Sequence, residues 1–210
     1  MNNLLSKIKN LKNDPWTLGN SVLYKLCKDY PHHKTDNEIA AKIWLIGRAY
    51  AASIERRKGK DEIINDDFYL GVVIPQIKQS GIDKWIQSCK SKGTKDTYLS
   101  VHKKITDLFE RISGSKKRSL ASKYLHFHLP NMFFMYDSRS SKGIGLLFKE
   151  LNIGMMIREI NNNLSDKSYA SFYNKCLKAQ DEIHIKYNVS LGCRQLDTLL
   201  INLANENLRK

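Results

Sequence analysis

The stretch that decides the fold is Lys117-Arg118-Ser119-Leu120-Ala121-Ser122-Lys123-Tyr124-Leu125-His126-Phe127-His128-Leu129-Pro130, continued by Asn131-Met132-Phe133-Phe134-Met135-Tyr136-Asp137-Ser138-Arg139. Leu120, Tyr124 and Phe127 recur at the spacing of one helix face, while Lys123 and His126 share another. The first half therefore predicts a short basic helix, ended by Pro130, which has no amide hydrogen to continue the ladder. The apolar and aromatic residues after Asn131 are too few for a core helix and suit a buried extended connector. They deliver one carboxylate, Asp137, to the start of the next helix.

Working outward, apolar residues recur at helical steps almost everywhere and alternating runs are scarce, so the chain predicts an all-α fold. The first helix spans Asn3 to Leu11. Asn13-Asp14-Pro15 supplies a cap and a first-turn proline for a second helix through Val22, Leu23, Leu26 and Cys27. The Tyr30 to Thr35 linker is expected to leave His32 and His33 in solvent. Thr35 and Glu38 have capping-box spacing and open the longest predicted helix, with Ile39, Ile43, Ile46, Tyr50 and Ile54 as its buried stripe. Its second stripe, Trp44, Arg48, Ala51 and Glu55, predicts a partly buried Arg48 that pairs with Glu55 across two turns or with a ligand's phosphate. Arg56, Arg57, Lys58 and Lys60 suit the helix's C-terminal dipole.

Three or four helices are expected between Asp61 and Arg111, broken near Pro75, Gly81 and Gly93. Gly143 and Gly145 are not a nucleotide loop, since no strand precedes them and no Gly-Lys-Ser/Thr follows. Tyr169 to Tyr187 is amphipathic, and a last helix from about Leu191 carries Arg194 and Asp197 at ion-pair spacing.

At 210 residues and 41% hydrophobic content the chain can bury its own core, and without a flexible linker it predicts one globular unit over 1–210. Within it a helical subdomain covers about 36–112 and a motif-bearing subdomain 113–210, onto which 1–30 can pack. No run of eighteen apolar residues and no secretory signal pattern is present, so the expectation is a cytoplasmic protein without a membrane partner. Cys27, Cys89, Cys176 and Cys193 form no C-x-x-C pair, and no metal or cofactor is expected. A formal net charge of +14 favours a polyanion partner, although a solvated lysine surface needs no ligand.

The Arg118 to Lys123 run, the apolar connector and Tyr136-Asp137-Ser138-Arg139 together resemble the helix-hairpin-helix DNA glycosylase superfamily, in particular its bacterial branch with the 8-oxoguanine glycosylase fold. In that superfamily a hairpin and a lysine-bearing helix are followed by an aspartate opening the next helix, as in Val-Asp-Thr-His. The Ile43 to Arg56 segment and Arg194-Gln195-Leu196-Asp197 are similar to the same branch, so the resemblance runs from about Glu38 to Asn202. It implies a multi-helix orthogonal bundle and excision of a damaged or modified base from DNA. This chain departs from the family in its hairpin, Ile112-Ser113-Gly114-Ser115-Lys116-Lys117, which has one glycine. It also has Ser119 where the nucleophilic lysine would stand. On this resemblance Asp137 stabilises the developing sugar cation and Lys123 is the candidate nucleophile, with Lys117 as the alternative. Arg48, Arg118, His126, His128 and Arg139 are candidate substrate contacts, and Tyr136 or Phe134 could stack on an extruded base. The alternative is a catalytically inactive module that binds a nucleobase, nucleotide or nucleic acid, with a place in genome defence.

Overall fold

Residues 2–12, 14–56, 65–154 and 164–209 are described in a computed structural model, and every regular element among them is helical. The order is α1 (Asn2–Lys9), α2 (Thr17–Asp29), α3 (Asp36–Ala49), α4 (Asn65–Phe68), α5 (Ile74–Gln79), α6 (Ile82–Lys92), α7 (Lys95–Ser113), α8 (Arg118–His128), α9 (Ser138–Leu151), α10 (Lys167–Tyr187) and α11 (Cys193–Leu208). None of these helices is long and apolar enough to cross a membrane.

Helix α8 is the centre of the fold, with α2, α3 and α7 packed against it. The short basic helix expected here is present, but it is buried on all sides: every residue from Leu120 to Phe127 is buried, including Ser122, Lys123 and His126. Each of these polar side chains has an internal hydrogen bond, which offsets the desolvation that would otherwise drive it to the surface. Helices α10 and α11 both pack against α9. A Cβ at Gly143 would stand 2.1 Å from the Leu200 carbonyl oxygen, so α9 and α11 approach closely only because that position has no side chain. Lys7 of α1 reaches Glu150 of α9 and Glu206 of α11.

The connector is extended and buried, with Phe133, Phe134 and Met135 in the core. A buried extended strand needs partners for its backbone, and here side chains supply them. The Met132 carbonyl accepts from the Tyr173 hydroxyl, Phe133 from His126 Nδ1, and Phe134 from the Tyr169 hydroxyl. The Tyr136 amide donates to Ser122 Oγ. Two i, i+4 pairs, Ser122 with His126 on α8 and Tyr169 with Tyr173 on α10, thus fix the path that delivers Asp137.

Three further expectations are corrected. Helix α3 ends at Ala49 instead of continuing to Arg56, because Ala51 adopts a left-handed φ of 50° and the Ala52 amide turns back onto the Gly47 carbonyl. The predicted break at Pro75 is absent. A π-turn over Tyr69–Val73 joins α4 to α5, with the Ile74 amide donating to the Tyr69 carbonyl, and the helix runs on through Pro75 to Gln79. Helix α2 begins at Thr17 instead of Pro15, with Asp14 Oδ1 accepting from the Trp16 amide. Gly93 does terminate α6, with a left-handed φ of 52°. Arg57, Lys58 and Lys60 lie outside the described residues.

Candidate functional site

Asp137 is the N-cap of α9. Its Oδ1 accepts from the Ser140 amide at 2.9 Å, and Ser140 Oγ accepts in return from the Asp137 amide, closing a capping box. Oδ2 is left for Lys123, whose Nζ lies 2.9 Å away. The ammonium also donates to Ser119 Oγ at 2.8 Å and the Tyr136 carbonyl at 3.3 Å, and it sits 5.7 Å from the centre of the Tyr50 ring. The Lys123 side chain is 1% exposed and that of Asp137 is 31% exposed, so the pair opens to solvent on the carboxylate side. Burial raises the Asp137 pKa, but Lys123 and the Ser140 amide outweigh it and hold the carboxyl below its ordinary value. At neutral pH this is a carboxylate.

A second charged cluster adjoins the first through Tyr50. The Tyr50 hydroxyl donates to Asn20 Oδ1 at 2.7 Å and accepts from Arg194 Nη1 at 3.4 Å. Arg194 bridges Asp197 at 2.8 Å and Asp14. Asp197 is buried, and desolvation pushes its carboxyl up to about 7 against the opposing pull of Arg194 and Lys123. Sequence pairing identified Arg194 with Asp197. Nothing in the sequence pointed to Asp14, 180 positions away, or to Tyr50 as the link between the clusters.

The remaining candidates are dispersed. Arg118 pairs with Asp166, the N-cap of α10, at 2.6 Å. Arg139 is exposed beside Asp137 on the first turn of α9. Lys117, the alternative lysine, donates to the Ser53 and Arg56 carbonyls rather than to Asp137. Arg48 is half exposed, against the expected burial, and its guanidinium lies 5.6 Å from the Trp44 ring centre. Its partner Glu55, 2.8 Å away, arrives on the loop that folds back after α3, so the pair is not two turns of one helix. Tyr136 is partly buried, edge-on to Tyr169 and Phe172, while Phe134 is core.

His126 is fully buried with both ring nitrogens engaged: Nδ1 donates to the Phe133 carbonyl and Nε2 lies 2.6 Å from the Tyr24 hydroxyl. His128 Nδ1 donates to the Tyr124 carbonyl, and its ring stacks on His33. His33 is itself buried, against expectation, because Asp83 at 2.6 Å and the Tyr124 hydroxyl at 2.5 Å satisfy its two nitrogens. Among the described residues no group of three or more His, Cys, Asp or Glu could hold a metal ion. A cleft of about 810 Å³ runs along α9 from Ser141 to Asn152, one turn beyond Asp137.

What the paired groups can do follows from their charges. A carboxylate held ionised, and touching a buried ammonium, can stabilise a neighbouring positive charge, while the ammonium can supply a proton and then a nucleophilic amine. No family model, no curated protein and no solved structure matches the chain.

Proposed function

We propose that the chain is a DNA glycosylase-like protein that excises a damaged or modified base, with Asp137 and Lys123 as its reacting groups. The observation that carries this reading is the 2.9 Å contact between the Lys123 ammonium and the Asp137 carboxylate. As the glycosidic bond breaks, its electron pair leaves with the base and positive charge grows on the sugar, which Asp137 is placed to stabilise. The departing base takes a proton from the Lys123 ammonium. The neutral amine can then bond to the anomeric carbon, with Asp137 still ionised. The α7 to α8 connection adds support, because two helices meet there through a short turn at Gly114 and no side chain caps the first turn of α8.

The test is base release from lesion-bearing duplexes, scored by alkaline strand cleavage, with borohydride trapping of any covalent adduct. Asp137→Asn keeps a good capping side chain and removes the charge, and should lower base release by about a hundredfold or more. Lys123→Met should abolish the trapped adduct. The second reading, a nucleobase- or nucleic-acid-binding module without chemistry, is favoured by the three acceptors that already occupy the buried Lys123 amine. Binding of nucleic acid without release of any base from a broad lesion panel would favour that reading over the first.

A further inference from the structure

The cleft along α9 is lined on one stripe of the helix by Ser141, Lys142, Gly145, Leu146 and Lys149, and it ends at Asn152. Traced backwards, the same stripe reaches Ser138, next to Asp137, so the cleft leads away from the Lys123 and Asp137 pair. At 1.5 Å per residue, Lys142 and Lys149 stand roughly 8 and 18 Å along the helix axis from Asp137. Both are exposed, and neither is in an ion pair among the described residues. The nearby carboxylates Glu150 and Glu206 share Lys7, which offsets one of their two negative charges.

Gly145, between the two lysines, is the telling residue. Gly143 is required by the α11 backbone, whereas a Cβ at Gly145 would meet nothing within 4 Å. Packing therefore does not explain a helix-weakening residue on the open face of α9. An absent side chain does let an extended ligand come close to the helix surface. The Ser141 hydroxyl oxygen beneath the cleft is buried and has no partner among the described residues, and Asn152 and Asn207 add neutral amides.

We propose that this cleft seats the sugar-phosphate backbone of the DNA strand whose nucleotide is presented to Asp137, with Lys142 and Lys149 contacting phosphates on either side of Gly145. The assignment rests on the base-excision reading for its polarity and names the strand path of that same site. Each phosphate contact made by a lysine releases counterions and steepens the salt dependence of binding.

The experiment is fluorescence anisotropy of labelled duplex and single-stranded oligonucleotides at several salt concentrations. It compares the wild-type chain with Lys142→Glu/Lys149→Glu, with Gly145→Leu, and with Lys28→Glu/Lys90→Glu, an equal charge change on α2 and α6. The α9 pair should weaken binding at least about tenfold more than the control pair and lower the salt slope by about two. Gly145→Leu should weaken binding with an unchanged or raised melting temperature. Equal effects of the two charge pairs, full binding by Gly145→Leu, or no binding by the wild-type chain would each overturn the proposal. Groove-dependent binding without base release from any lesion would refute the excision reading and leave the groove standing. Base release that persists unchanged in all α9 variants would do the reverse.

Discussion

A buried ammonium is tolerated only where its protons find acceptors, and Lys123 finds a hydroxyl, a carbonyl and a carboxylate. The two partners of the ion pair are not equivalent. Asp137 is partly open to water and keeps its capping hydrogen bonds if Lys123 is removed, whereas Lys123 has no route to water if the charge on Asp137 is removed. Asp137→Asn should therefore destabilise the fold by about 3 kcal/mol, and Lys123→Met by only about 1 kcal/mol. The double variant should be more stable than Asp137→Asn alone, because it removes the stranded charge. Urea unfolding of the three variants measures the cycle, and equal losses from the two single changes would contradict this account. The sequence made Asp137 and Lys123 legible, since a lone acid after an apolar connector and a lysine among aromatic residues both stand out. The identity of the other acceptors was not legible. Ser119 stood out only as the residue in place of a nucleophilic lysine, not as a partner of Lys123, and the Tyr136 carbonyl has no sequence signature at all.

Helical periodicity recovered most elements because each helix buries a stripe, and it failed where burial was not one-sided. Helix α8 looked amphipathic and basic, but its polar positions face the connector and neighbouring helices instead of solvent, a distinction that depends on partners distant in sequence. The end of α3 was missed for a related reason. Ile54 continues the apolar stripe numerically, yet it reaches the core from a loop that folds back over Gly47. The two glycines of α9 were correctly kept out of a nucleotide loop, but sequence gave no means of separating their roles. Their surroundings predict opposite responses to the same substitution. Gly143→Ala forces α9 away from the Leu200 carbonyl and should destabilise the protein by about 1–3 kcal/mol. Gly145→Ala adds a methyl group in open space and should stabilise it by about 0.5–1 kcal/mol. Thermal melts of the two variants, compared with wild type, should move in opposite directions.

Across the whole molecule, the composition announced the net charge but not where ionisable groups are buried, and the buried ones govern the response to acid. Burial lowers the pKa of His33 and His126 to about 4 and of His102 and His128 to about 3, with the Lys42 charge acting in the same direction at His33 and His128. In the unfolded chain a histidine titrates near 6.5, so between about pH 6.5 and 4 the unfolded state holds four protons that the native state excludes. The stability these neutral rings contribute is present above pH 6.5 and is lost as the pH falls through that window. Asp197 acts in the opposite sense. With its carboxyl raised to about 7, it takes up its proton in the native state first, leaving a net difference of about three protons in the middle of the window. That difference corresponds to about 4 kcal/mol of stability per pH unit, or at most about 10 kcal/mol across the window, comparable to an ordinary folding free energy. The urea midpoint followed by circular dichroism should fall steeply from pH 6.5 to 5, and His128→Gln should reduce the slope by about one proton. A midpoint that stays level over this range would mean that the buried rings are already charged in the native state, and the neutral hydrogen-bond assignments for His33, His126 and His128 would have to be withdrawn.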